Sequence, residues 1–135
     1  MTKIEDVKIL IVDDEKDFRE LLRLNLQNTG FKNIQEASNG KEALEIIPVF
    51  KPDLVILDVF MPEVDGIDVA LEIKRREDLK NTKFIFLTNY GEEAFGEYGK
   101  MTDKKVAQEL GALDFFRKTD DYEVLLDKIK KYCGL

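Results

Sequence analysis

Short runs of apolar, β-branched residues alternate along this chain with longer segments in which apolar positions recur every three or four residues. That alternation marks repeated strand–helix units and a parallel sheet. Five strands are predicted. Lys8-Ile9-Leu10-Ile11-Val12 and Asp53-Leu54-Val55-Ile56-Leu57 are almost wholly apolar, the pattern of strands covered by helices on both faces. Asn33 to Ala37 makes a short second strand, Lys83 to Leu87 a fourth that ends at Thr88, and Leu113 to Arg117 a fifth.

The intervening segments read as helices. Phe18, Leu21, Leu22 and Leu26 recur at helical spacing, and Thr29-Gly30 supplies the stop. Asn39 caps a second helix carrying Ala43, Leu44, Ile46 and Ile47. It must end before Pro52, because the residue ahead of a proline is pushed out of the helical region. Pro62-Glu63-Val64-Asp65-Gly66 is turn chemistry, followed by a helix with Ile67, Ala70, Leu71 and Ile73 on one face. From Asn89 to about Lys100, Gly91, Gly96 and Gly99 lie among Tyr90, Phe95 and Tyr98. This predicts a long irregular excursion before a helix near Thr102 to Leu110. The last helix carries Val124, Leu125, Ile129 and Tyr132. The whole predicts a doubly wound α/β fold of flavodoxin-like topology, strand order 2-1-3-4-5, with helices on both faces. At 135 residues the chain is close to the roughly 150 of one domain. A single domain over residues 1–135, with no output domain, is expected.

Composition narrows the chemistry. The chain has no histidine, which removes the commonest general base and the usual zinc ligand. One cysteine, Cys133, forms no internal bridge. Acidic residues number 28 against 21 basic, a net charge of −7 that argues against binding phosphate backbones, so no nucleic-acid ligand is expected. No apolar run approaches the roughly 20 residues of a bilayer span, and Met1 to Asp6 lacks an apolar signal core. The expectation is a cytoplasmic protein without membrane contact.

In an open parallel sheet, ligands bind beyond the carboxyl ends of the strands. Here those ends deliver Asp13-Asp14, Asp58, Thr88 and Lys118. The intervals 88 − 58 = 30 and 118 − 88 = 30 each fit one strand–helix unit of roughly 30 residues, so the groups can converge. Three neighbouring carboxylates repel one another unless a cation shares the site. Oxygen-only ligands favour a hard ion, and few protein ligands with several waters favour Mg²⁺ over Ca²⁺. With phosphate charge offset by Mg²⁺ and Lys118, and Thr88 donating its hydroxyl, Asp58 becomes a nucleophile able to form an acyl phosphate.

These residues give the chain a resemblance to the receiver domain of bacterial and archaeal two-component response regulators. Asp13-Asp14, the block Leu57-Asp58-Val59-Phe60-Met61-Pro62-Glu63-Val64-Asp65-Gly66, Thr88 and Lys118 stand in the family's order, and the match runs along essentially the whole chain. The resemblance implies a signalling switch rather than an enzyme, with at most slow loss of its own phosphoryl group. Asp58 would be the phosphoacceptor. Asp13, Asp14 and Asp58 would hold Mg²⁺ with the backbone carbonyl of Phe60, Thr88 and Lys118 would sense the phosphoryl group, and Phe115 would be a switch aromatic. The implied partners are a histidine kinase or phosphotransfer protein and a downstream effector protein, and the family also allows a phosphorylation-linked homodimer. Three departures stand out. Thr119 follows the lysine where the family usually has a proline that aims it. Asn89 follows the threonine where a small residue is usual, and the segment between Thr88 and Lys118 is about two helical turns longer.

Taken singly, the same residues have plainer readings. Asp13 or Asp14 is a helix cap, Asp65-Gly66 just a turn, Thr88 a strand-end bond to its own loop and Lys118 a solvated lysine. Phe115 is core, Lys128, Lys130 and Lys131 are the wet face of a helix, and Cys133 is incidental, though an exposed thiol could crosslink. Their convergence on one rim favours the switch. Its rivals are a phosphorylation-independent adaptor on the same fold and a small phosphohydrolase with Asp58 as nucleophile. The second lacks the general acid it needs two residues on, where Phe60 stands. A flavin carrier is weaker still, since Asp13-Asp14-Glu15 would repel a metal-free phosphate.

Overall fold

The computed structural model describes residues 2–89 and 103–135, with side chains from Lys105 onward in the second stretch. Five parallel strands, β1 (Lys8–Val12), β2 (Asn33–Ala37), β3 (Leu54–Leu57), β4 (Phe84–Thr88) and β5 (Phe115–Arg117), form one sheet in the order β2-β1-β3-β4-β5. The helices are α1 (Lys16–Thr29), α2 (Gly40–Phe50), α3 (Gly66–Arg75), α4 (Asp103–Glu109) and α5 (Tyr122–Tyr132), with short 3-10 turns at Ile4–Asp6 and Glu77–Leu79. The flavodoxin-like order is the one the sequence predicts. The excursion expected beyond Asn89 and the first residue of the helix expected from Thr102 lie outside the described residues.

Alternation along the buried strands builds two cores. Leu10, Val12, Val55, Leu57, Phe84, Phe86 and Phe115 face one side and pack against Ala43 and Ile47 of α2, Val69, Ala70 and Ile73 of α3, and Val106 of α4. Ile9, Ile11, Leu54, Ile56, Ile85, Leu87 and Phe116 face the other and meet Leu22 and Leu26 of α1 and Leu125 and Ile129 of α5. The period of two in the strands thus sends neighbouring residues into opposite layers.

Local chemistry sets the ends. α1 stops at Gly30, whose φ of 120° needs a residue without a Cβ. Asn39 caps α2 by accepting from the Glu42 N–H, and the helix runs past Pro48 before Lys51 turns left-handed immediately ahead of Pro52. Three expectations about helix faces are corrected. Leu21, Leu71 and Val124 are about half exposed, because the contact stripes run through Leu22 and Leu26, Ala70 and Ile73, and Leu125 and Ile129. Strand five begins later than predicted. Leu113 N–H still bonds Phe84 C=O, but the Asp114 side chain takes the Phe115 N–H at 2.8 Å. Cys133 is buried rather than exposed, and burial pushes its thiol up to about 11.

Candidate functional site

Backbone ladders carry the predicted residues to one rim. Asp13 follows β1 and its N–H bonds Ala37 C=O; Asp58 follows β3 and bonds Val12 C=O at 2.9 Å. Thr88 ends β4 and is fully buried, and its C=O accepts from the Lys118 N–H at 2.8 Å. Each of these residues is therefore anchored by a neighbouring strand, which fixes where its side chain starts.

The loop after β3 is held tightly to the site. The Gly66 N–H bonds Val59 C=O at 2.8 Å, and a Cβ on Gly66 would lie 2.0 Å from the Asp58 carbonyl oxygen. Asp65 caps α3 by accepting from Asp68 N–H, while the Asp68 carboxylate accepts from Asp65 N–H. Asp65-Gly66 is thus more than a turn: it starts α3 and lets the loop close against Asp58.

Asp13, Asp14 and Asp58 each offer a carboxylate oxygen, all within 4.8 Å of one another. Asp13 and Asp58 are buried, while Asp14 is exposed. The helix-cap reading of the paired acids fails, since Glu15 occupies the N-cap of α1 without a side-chain capping bond. Asp13 Oδ1 instead accepts from the Glu15 N–H at 2.8 Å. The buried Asp58 Oδ1 has no hydrogen-bond partner among the described residues. An acceptor of this kind, facing two more carboxylates in an all-oxygen set, fits a hard divalent cation.

Lys118 is not the solvated lysine of the plain reading. Its side chain is 6% exposed, and its Nζ lies 2.7 Å from Asp13 Oδ2, 3.0 Å from Glu15 Oε1 and 3.6 Å from Asp58 Oδ2. It also sits 4.1 Å from the centroid of the Phe18 ring. Thr119 follows without a proline, so the ammonium is aimed by these side chains. Burial alone would lower the Lys118 pKa, but Asp13, Asp58 and Glu15 together raise it. Burial, then the neighbouring Asp13 charge, pushes Asp58 up to about 6, against the pull of Lys118 and the Thr88 hydroxyl. Asp13 is raised as well, chiefly by burial.

Phe60 follows β3 and is 43% exposed, whereas Phe115 is buried in β5, in register with Phe86. It packs in the core cluster with Phe84 and Phe86. Two residues beside the Lys118 ammonium, Glu15 and Phe18, are not among those the strand ends predict. The signal for the first was the unbroken acidic run Asp13-Asp14-Glu15. Asn89 enters as well, donating from Nδ2 to Glu15 Oε1 at 3.2 Å.

A doubly wound α/β domain with an acidic rim around the buried Lys118 side chain is the class of protein that the fold and the site define. The family model of the response regulator receiver domain matches residues 9–130, and the chain belongs to that family. It is 38% identical over 128 residues to sporulation initiation phosphotransferase F of Bacillus subtilis, covering 95% of this chain and 94% of that protein. It is 38% identical over 111 residues to the alkaline phosphatase synthesis transcriptional regulatory protein PhoP of the same organism, covering 82% of this chain but 42% of the regulator. The chain thus spans nearly all of the first relative and less than half of the second. A putative response regulator from Chloroflexus aurantiacus superposes with a TM-score of 0.80 at 28% identity, covering 96% of this chain and 98% of that one. As a receiver domain the protein is regulatory, of a family that works with histidine kinases or phosphotransfer proteins and with effectors, and that binds Mg²⁺ at an acidic pocket. Among the described residues no helix is long and apolar enough to cross a membrane.

Proposed function

We propose that this chain is a phosphorylation-dependent switch that accepts a phosphoryl group on Asp58 from a histidine kinase or a phosphotransfer protein. The observation that carries this reading is the buried, unpartnered Asp58 Oδ1 set among Asp13, Asp14 and Lys118. In the transfer, the P–N bond of a phosphohistidine donor breaks as an Asp58 carboxylate oxygen forms the P–O bond. The imidazole leaves neutral after taking up a proton. The chain has no histidine, so the donor imidazole comes from the partner.

Asp13, Asp14 and Asp58 would hold Mg²⁺ together with the Phe60 backbone carbonyl; when bound, the ion offsets the negative charge of the transferring group. Lys118 supplies the second positive charge, and the Thr88 hydroxyl a donor to a phosphoryl oxygen. Phosphorylation adds nearly two negative charges and three acceptor oxygens. Thr88 then moves toward the phosphoryl group, Phe115 or its neighbours fill the vacated space, and the surface of α4, β5 and α5 changes. Overlap along 94% of sporulation initiation phosphotransferase F supports a place in a phosphorelay, with the signal passed on by protein contact.

Intact-mass measurement after incubation with acetyl phosphate and Mg²⁺ tests the reading. One phosphoryl adduct is expected, lost with EDTA and in Asp58→Ala. Intact Mg²⁺ binding without an adduct from acetyl phosphate, a kinase or beryllofluoride would favour the adaptor, and multiple turnover on phosphate esters the phosphohydrolase.

A further inference from the structure

We infer that Glu15, braced by Asn89, is a positioning residue that holds the Lys118 ammonium in a resting place and competes for it with the group carried by Asp58. The inference rests on the reading of Asp58 as the acceptor.

The geometry of the ammonium carries the argument. Of its three carboxylate neighbours, Asp58 is the most distant, at 3.6 Å, while Asp13 and Glu15 lie at 2.7 and 3.0 Å. The Phe18 ring, 4.1 Å away, lies on α1, the helix that Glu15 precedes. The lysine therefore rests toward the start of α1 rather than over the acceptor. Glu15 is itself fixed from two directions. Its N–H is bound by Asp13 Oδ1 at 2.8 Å, and its Oε1 accepts from Asn89 Nδ2 at 3.2 Å as well as from Lys118. Asn89 directly follows Thr88, so one carboxylate oxygen ties the start of α1 to the carboxyl ends of β4 and β5.

A divalent cation among the aspartates would draw on the charge of Asp13 and leave Glu15 as the lysine's undivided anionic partner. A phosphoryl group on Asp58 presents close to two negative charges and pulls the ammonium the other way. Glu15 is 54% exposed, so its hold has the modest strength of a partly solvated ion pair. It biases the equilibrium without blocking it. The departure at Asn89, a longer residue where the family has a small one, supplies the brace.

Beryllofluoride, a tetrahedral phosphoryl mimic, provides the probe. Its saturation midpoint is read by backbone-amide NMR at saturating Mg²⁺, with folding checked by thermal melts. Glu15→Gln should tighten binding by about two- to five-fold, the equivalent of one partly exposed ion pair. Glu15→Asp keeps the charge but retracts the carboxylate, and should shift binding the same way; Asn89→Ala should give a smaller shift. In a Lys118→Gln background the effect of Glu15→Gln should vanish. Unchanged or weaker binding in both Glu15 variants overturns the inference, as does equal tightening without Lys118, which would reduce Glu15 to a general charge effect. Wild-type protein that binds no beryllofluoride would sink the acceptor reading itself, whereas firm wild-type binding indifferent to Glu15 sinks this inference alone.

Discussion

The Cα of Gly66 approaches the Asp58 carbonyl so closely that an added methyl carbon would lie 2.0 Å from that oxygen. Gly66→Ala must therefore move backbone at Asp58, because the neighbouring atom is a main-chain oxygen that cannot rotate away. A cost of about 1–3 kcal/mol is expected, as for overpacked cores. Urea unfolding should show the lower stability, and the folded fraction should take phosphate from acetyl phosphate more slowly than wild type. Wild-type stability and uptake would show that the loop gives way without strain.

Asp58 makes the apo protein less stable than it need be. Its native pKa of about 6 lies above the ordinary 3.8, so the native state binds this proton more tightly than the unfolded chain does. That contribution is fully present below pH 4 and is lost as pH rises through about 6. Asp58→Asn should then stabilise the metal-free protein at pH 7 by up to about 3 kcal/mol, with a Tm several degrees higher. The gain should shrink toward pH 4. Thermal melts in EDTA at both pH values check this.

If Asp13 and Asp58 hold Mg²⁺ as proposed, protons compete with the ion for these carboxylates. With Asp58 raised to about 6 and Asp13 raised above its ordinary value, Mg²⁺ affinity should hold above pH 7 and fall by roughly ten-fold for each pH unit below 6. Calorimetric titration between pH 5 and 8 reads it directly, and a flat profile would contradict the raised values.

Far from the rim, the Tyr132 hydroxyl donates to the buried Asp114 Oδ2 at 2.6 Å. Burial and this carboxylate push the phenol up to about 12. Tyr132→Phe removes the donor and should cost about 1–3 kcal/mol, read as a lower urea midpoint at unchanged slope. Phosphorylation by acetyl phosphate should be retained.

The strands are legible because doubly covered β-strands are apolar at nearly every position, and the predicted Lys8 to Val12 coincides with β1. The rim was legible because strand ends map to fixed offsets, so Asp13, Asp58, Thr88 and Lys118 could be brought together from spacing alone. Helix faces were less so. Leu21, Leu71 and Val124 each neighbour a truly buried residue, and apolar identity does not say which side of a stripe meets the sheet. Lys118's resting partners were hidden for another reason. Glu15 and Phe18 come from the start of α1, and side-chain contacts across a hundred residues leave no periodic trace. Gly66 reads in sequence as turn chemistry, although its role is set by the carbonyl it lies against.

The most direct test of the central claim locates the phosphoryl group. After acetyl phosphate and Mg²⁺, borohydride reduces an acyl phosphate on aspartate to homoserine, which tandem mass spectrometry of peptides assigns to a residue. Homoserine is expected at position 58, absent in EDTA. Homoserine at position 13 or 14 with Asp58 intact would contradict it.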